Sequence, residues 1–216
     1  GQVHGINRSY ADAIRPVLQV IPCRRDVQKV SGVYLMISKS HTLFFADPTV
    51  NIAPNADDLA EIALLTAEMA RFFDVVPRVA MLSFSNFGDT RHPDAERVKT
   101  AVEIARERDP ELIIDGEMQA DTAVVSDILK NAYPFNRLGG PANVLVFPGL
   151  ASANVAYKLL NRLGGAEAVG PLLMGMSKPF NVLHRDTVME NVVNVIAITV
   201  AQAQETTEKG RYGKAA

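Results

Sequence analysis

Apolar positions along the chain fall into two alternating rhythms. Val30 to Ser38, Thr42 to Ala46, Arg78 to Phe84, Leu112 to Asp115, Asn143 to Pro148 and Ala168 to Met174 are short runs, apolar enough for strands buried on both faces. Between and after them, Asp58 to Phe73, Pro93 to Arg108, Thr122 to Ala132, Leu150 to Leu163 and Thr187 to Gln204 repeat apolar residues at helical spacing. Such alternation predicts right-handed βαβ units, hence an α/β fold with a mainly parallel sheet and helices on both faces. The linker Lys39-Ser40-His41 is too short for a crossover, so the first two runs form an antiparallel hairpin.

Helix punctuation agrees with this reading. Ser9 is placed to cap a helix bearing Ile14, Val17, Leu18 and Ile21, imperfect at Pro16. Asp57 and Asp121 are expected caps, Pro93 opens a first turn, and Gly164-Gly165 closes a helix. Asp47 to Asn55 reads as a loop, and Glu205 to Ala216 as a frayed tail.

Composition narrows the classes. With 48% apolar and 21% charged residues among 216, the chain is neither disordered nor collagenous. A net charge of −2 lacks the basic footprint of a nucleic-acid binder, so an anionic ligand requires a few placed arginines. The single cysteine, Cys23, forms no internal disulfide and points to a reducing, cytoplasmic setting. No apolar run reaches the roughly 18 residues of a membrane span and no signal peptide opens the chain, so a soluble protein is expected. Gly1-Gln-Val-His starts without Met and passes at once into patterned sequence, which suggests a piece of a longer protein.

Ligands of such sheets bind where strands end, so the following loops are the places to look. Ser85, Asn86 and Gly88 suit either an anion-binding loop before a helix or plain turn chemistry. Asp115, Glu117 and Asp121 group three carboxylates, but without a histidine no metal site is expected. Neither a GxGxxG turn nor a GxxxxGK[ST] loop occurs. From Gly170 a strand runs into a Gly/Pro loop ending in His184-Arg185, a titratable ring beside a fixed cation ahead of a helix. Arg15, from a distant segment, is a candidate second guanidinium; two such forks match a phosphate or pyrophosphate, whereas each alone is ordinarily a surface ion pair.

Ile14-Arg-Pro-Val-Leu-Gln, Phe45-Ala-Asp, Val79-Ala-Met-Leu-Ser-Phe-Ser, Asp115-Gly-Glu-Met-Gln-Ala-Asp, Ala142-Asn-Val-Leu-Val-Phe-Pro and Gly170-Pro-Leu-Leu-Met-Gly-Met-Ser-Lys-Pro together resemble the phosphate acetyltransferase family. The resemblance runs in order from about Gly5 to Gln204 and lacks the family's N-terminal portion. It implies a phosphotransacetylase-like architecture whose first domain, residues 1–29 and 175–216, is incomplete, beside a second α/β domain over 30–174. It also implies acetyl-CoA or coenzyme A as ligand, held by Arg15 and Arg185, and a homo-oligomer, a dimer of this domain. In the family a serine precedes the second arginine and an aspartate follows seven residues later as proton acceptor; here these positions are His184 and Asn191. An amide is no base at neutral pH.

Those replacements, with Ser85-Asn-Phe-Gly, Asp115-Gly-Glu-Met and Leu173-Met-Gly-Met-Ser-Lys-Pro, are similar to the phosphotransacetylase-like domain of large bacterial NADP-dependent malic enzymes. The expectation is therefore a regulatory domain binding acetyl-CoA through Arg15, His184, Arg185 and Asn191, without acetyl transfer. The oxidation of malate, with NADP and a divalent metal, would lie in an attached upstream malic enzyme domain. An active phosphate acetyltransferase, with His184 as the base, is the alternative; an oligomerisation module without ligand is a second.

Overall fold

The computed structural model describes residues 1–7, 9–185 and 187–209, and it divides their strands between two sheets. Six strands order as β5-β4-β6-β3-β2-β7: β2 (Ser31–Ile37), β3 (Thr42–Ala46), β4 (Arg78–Leu82), β5 (Ile113–Met118), β6 (Val144–Val146) and β7 (Glu167–Met174). β3, β6, β4 and β5 pair in parallel, and β2 runs antiparallel to both β3 and β7. The fold is thus the expected α/β one with a largely parallel sheet and an antiparallel pair. The reversed strand lies inside the sheet, because β7 pairs beyond it.

Both faces are covered, which is why the strands read as continuous apolar runs. On one face α2 (Ala56–Phe72), α3 (Pro93–Arg108) and α7 (Met189–Lys209) pack with Phe44, Leu59, Met81 and Ile114 in the core. On the other, α4 (Ala120–Val124), α5 (Ser126–Ala132) and α6 (Leu150–Arg162) enclose Tyr34, Met118, Leu129 and Tyr157. Each fully buried large apolar side chain contributes about 1.5–3 kcal/mol over its exposed state.

Helix boundaries differ from expectation where side chains compete for the cap. α2 is capped by Asn55, not Asp57, because Asn55 and Asp58 close a reciprocal capping box (2.8 and 3.1 Å). The helix expected over 122–132 starts earlier and splits into α4 and α5, broken where Val125 is extended. The break falls on the Val124-Val125 pair, whose β-branched side chains lose rotamer freedom in a helix.

A second, two-stranded sheet pairs β1 (Gln2–Gly5) in parallel with β8 (Phe180–Leu183). With α1 (Tyr10–Val20) it shares a separate small core of Ala13, Ile14, Val30, Leu173, Met176, Phe180 and Val182. Asn181 ties the two sheets together: its Oδ1 accepts from Leu173 N (2.7 Å) and its Nδ2 donates to Thr199 Oγ1 of α7 (2.8 Å). Among the described residues no helix is long and apolar enough to cross a membrane.

Candidate functional site

The carboxyl ends of β3 and β8 meet α1 at one place. Immediately after β3, buried Asp47 accepts at Oδ1 from the backbone N–H groups of Gly32 (3.1 Å), Thr49 (3.0 Å) and Val50 (3.1 Å) and from the Thr49 hydroxyl (3.2 Å). Its Oδ2 accepts from the backbone N–H of Asn51 (2.9 Å) and from Asn51 Nδ2 (2.6 Å). So many donors lock the loop on to β2.

His184, half-buried, follows the last residue of β8. Thr187 closes the turn behind it, donating from N (3.2 Å) and Oγ1 (2.7 Å) to the His184 carbonyl. The imidazole stacks with two tyrosines: Tyr10 of α1 at 5.0 Å and 22° between planes, and Tyr34 of β2 at 6.5 Å and 13°. Tyr34 stacks in turn on Tyr157 of α6 at 4.5 Å. Burial pushes the Tyr10 phenol well above its ordinary value, a Thr49 contact opposing and the Asp47 charge reinforcing, so it is an O–H donor at neutral pH. That hydroxyl, buried beside Thr49, meets no described partner in hydrogen-bond geometry.

Arg15, on α1, and Arg185, next to His184, are both exposed, and among the described residues no ion pair or side-chain hydrogen bond engages either. Arg24, Arg71, Arg97, Arg106 and Arg108 instead pair with carboxylates. The structure therefore brings Arg15's helix, His184 and Arg185 to one end of β8.

Asn191, expected among the ligand contacts, is buried in α7 with both amide atoms on the backbone of Gly170. Oδ1 accepts from Gly170 N (3.0 Å) and Nδ2 donates to Gly170 O (2.8 Å). Gly170 has φ 135°, and a Cβ there would stand 2.9 Å from Val33 O and 3.2 Å from Tyr34 Cδ1, so only glycine fits. β2 is irregular opposite it, between Val33 and Leu35. The amide of Asn191 fixes the strand that Tyr34 packs against.

Ser85, Asn86 and Gly88, the candidate anion loop, sit at the far side of the sheet after β4. Their donors meet an acceptor that belongs to the protein: Glu117 Oε1 accepts from Ser85 Oγ (3.0 Å) and Gly88 N (2.6 Å). Asn86 Oδ1 accepts from Gln119 N (2.8 Å). Of the other grouped carboxylates, Asp115 pairs with Arg106 (2.6 Å) and Asp121 accepts from Thr122 N (2.9 Å). Among the described residues no three metal-ligating side chains gather.

Sequence reasoning passed over Tyr10, Tyr34 and Asp47 as site residues. Tyr34 lies in an apolar run and Tyr10 in a helix start, where aromatic residues ordinarily signal packing; Asp47 closes the apolar run Leu43-Phe-Phe-Ala, a signal that was available.

Comparison with known proteins decides the family. The model of the phosphate acetyl/butaryl transferase family matches residues 1–200. The chain belongs to that family. A phosphate acetyltransferase of Bacillus subtilis is 47% identical over 203 residues, and one of Clostridium acetobutylicum is 44% identical over 211. Each alignment covers 94% of this chain and 63% of the relative, so the chain spans less than two thirds of these relatives' length. The crystal structure of a phosphotransacetylase from Streptococcus pyogenes superposes with a TM-score of 0.90 at 43% identity, over 94% of this chain and 62% of that one.

These findings overturn the expected regulatory domain of a malic enzyme. The likeness to phosphate acetyltransferases runs through nearly the whole chain, whereas the regulatory reading rested on local replacements, chiefly His184 and Asn191. The NADP, the divalent metal and the upstream oxidoreductase domain were implied only by that reading, and these comparisons lend them no support.

Proposed function

We propose that this chain carries the acyl-transfer site of a phosphate acetyltransferase, exchanging an acetyl group between coenzyme A and inorganic phosphate. The observation that carries the reading is the meeting of α1, β8 and the β3 end around His184. It sets a titratable ring between two exposed arginine-bearing segments, within a family whose named relatives are phosphate acetyltransferases. Residues 1–29 and 175–209, with β1, β8, α1 and α7, form in this reading part of one lobe, and residues 30–174 the other. The substrates lie at their seam.

Arg15 and Arg185 hold phosphate or pyrophosphate oxygens, which their fork geometry matches. An oxygen of phosphate attacks the thioester carbonyl carbon, the carbon–sulfur bond breaks, and coenzyme A leaves with the proton that phosphate gave up. His184 relays that proton, because neither an arginine nor the Asn191 amide exchanges one near neutrality. Asn191 acts at one remove, through Gly170.

The test is acetyl phosphate formation from acetyl-CoA and phosphate by the intact protein, followed by thiol release. We expect turnover, and a loss of about 10²–10⁴-fold in kcat for His184→Ala. Absence of turnover would overturn the activity; turnover indifferent to His184→Ala would remove the histidine from the reaction.

A further inference from the structure

We infer that Tyr10 and Tyr34 are positioning residues for the proposed reaction: their rings stack, offset and nearly parallel, with the His184 imidazole and fix the plane in which it relays its proton. The inference rests on the proton role given to His184 above. Its physical basis is the stack itself. The two tyrosine rings lie 5.0 and 6.5 Å from the imidazole and within 22° and 13° of its plane, so turning the imidazole out of that plane gives up both stacks.

The clamp is anchored unequally. Tyr34 is held by Tyr157 at 4.5 Å and by the backbone of Gly170, whose missing Cβ admits the ring and whose N–H and C=O are both engaged by Asn191. A continuous line of packing thus runs from α7 through β7 and β2 to His184. Tyr10 stands on α1, and its hydroxyl makes no described hydrogen bond. What Tyr10 supplies to His184 is therefore its ring. Because α1 also carries Arg15, the stack that orients the imidazole also sets that helix against β8.

Two readouts separate positioning from bulk structure. In the assay above, Tyr10→Leu should lower kcat roughly 10- to 100-fold with KM for acetyl-CoA nearly unchanged, since a small misplacement of a reacting group has that effect. Tyr10→Phe, which keeps the ring, should rescue it. In proton NMR of the intact protein, the His184 ring resonances, assigned by their absence in His184→Gln, should lie upfield under the two ring faces. They should return toward ordinary positions in Tyr10→Leu and stay shifted in Tyr10→Phe. Because Tyr10 sits on a surface helix, circular dichroism should show Tyr10→Leu folded; if it is not, Tyr10→His, a smaller ring, provides the same two readouts. Unshifted His184 resonances in the wild type, or a Tyr10→Leu variant with unchanged kcat and spectrum, would overturn the clamp. A shift that depends on Tyr10 in a protein without turnover would uphold the clamp and overturn the acyl-transfer reading.

Discussion

Two loop systems at the carboxyl ends of strands, one in each sheet, use charge in opposite ways. After β4 and β5, Glu117 is buried and its Oε1 accepts from Ser85 and Gly88, so the polar groups of that region satisfy one another. On α1 and after β8, the cations Arg15 and Arg185 face solvent, engaged by no described side chain, near a histidine stacked on tyrosine rings. A closed network is structure, because a buried polar group left unmet costs stability. Exposed cations near a stacked imidazole are, in the proposed reading, where the substrate's anion binds. Similar residue types therefore mean different things according to whether their partners lie inside the chain.

The largest expected effect breaks the closed side. Glu117→Ala removes the acceptor shared by a buried hydroxyl and a backbone N–H, and should lower unfolding free energy in urea by about 3 kcal/mol. The same variant, assayed where it remains folded, should leave KM for phosphate unchanged. A raised KM would make this loop part of the ligand site and dissolve the contrast.

Next in size is Asn191→Asp, which looks like the restoration of a base and should behave as damage. An ionised carboxylate retains an acceptor for Gly170 N but has no proton for Gly170 O, and it is buried. We expect about 2 kcal/mol of destabilisation at neutral pH and no gain in kcat. Burial raises the pKa of the introduced carboxyl above its unfolded value, so the deficit should be absent below that value, near pH 4, and grow as pH rises. Urea midpoints at low and neutral pH check this. A deficit larger at low pH would mean that the amide pin has been misread.

The open side is probed by Arg185→Ala. It should raise KM for phosphate or acetyl-CoA about tenfold, equivalent to ~1.4 kcal/mol of binding, with an unchanged thermal midpoint because the side chain supports nothing described. A fall in midpoint without a change in KM would assign Arg185 to the fold instead.

How much of this was legible in the sequence depended on the range of the interaction. The βαβ rhythm is local, so the parallel sheet, its hairpin and most helices follow from periodicity. β1 and β8 were not legible: each is a strand of 4 residues and they pair between opposite ends of the chain. At the site, Arg15, His184 and Arg185 stood out through chemistry and resemblance, but Tyr10 and Tyr34 matter only as neighbours of His184, a relation no spacing encodes. Asn191 shows the converse. Its position within the family motif suggested a ligand contact, while its amide is matched to a glycine backbone on another strand. The malic enzyme reading failed for a related reason, since it weighed a few replaced side chains above likeness along nearly the entire chain.

The smallest effect tests the ring side of the comparison through its titration. Burial raises the phenols of Tyr10 and Tyr34 above the ordinary 10.0, the Asp47 charge adding at Tyr10 and Tyr157 at Tyr34. A group whose folded pKa is raised favours folding fully below its unfolded pKa and loses that contribution as pH climbs from there toward the folded value. The window thus opens near pH 10, where the unfolded chain begins to release phenolic protons that the folded chain retains. At about pH 10.5 each such phenol should reduce unfolding free energy by ~0.8 kcal/mol. Tyr10→Phe should recover that amount at pH 10.5 while being neutral or slightly stabilising at pH 7, because the hydroxyl it deletes meets no described hydrogen-bond partner. A destabilised Tyr10→Phe at pH 7 would show instead that the hydroxyl, and not only the ring, holds α1 against β8.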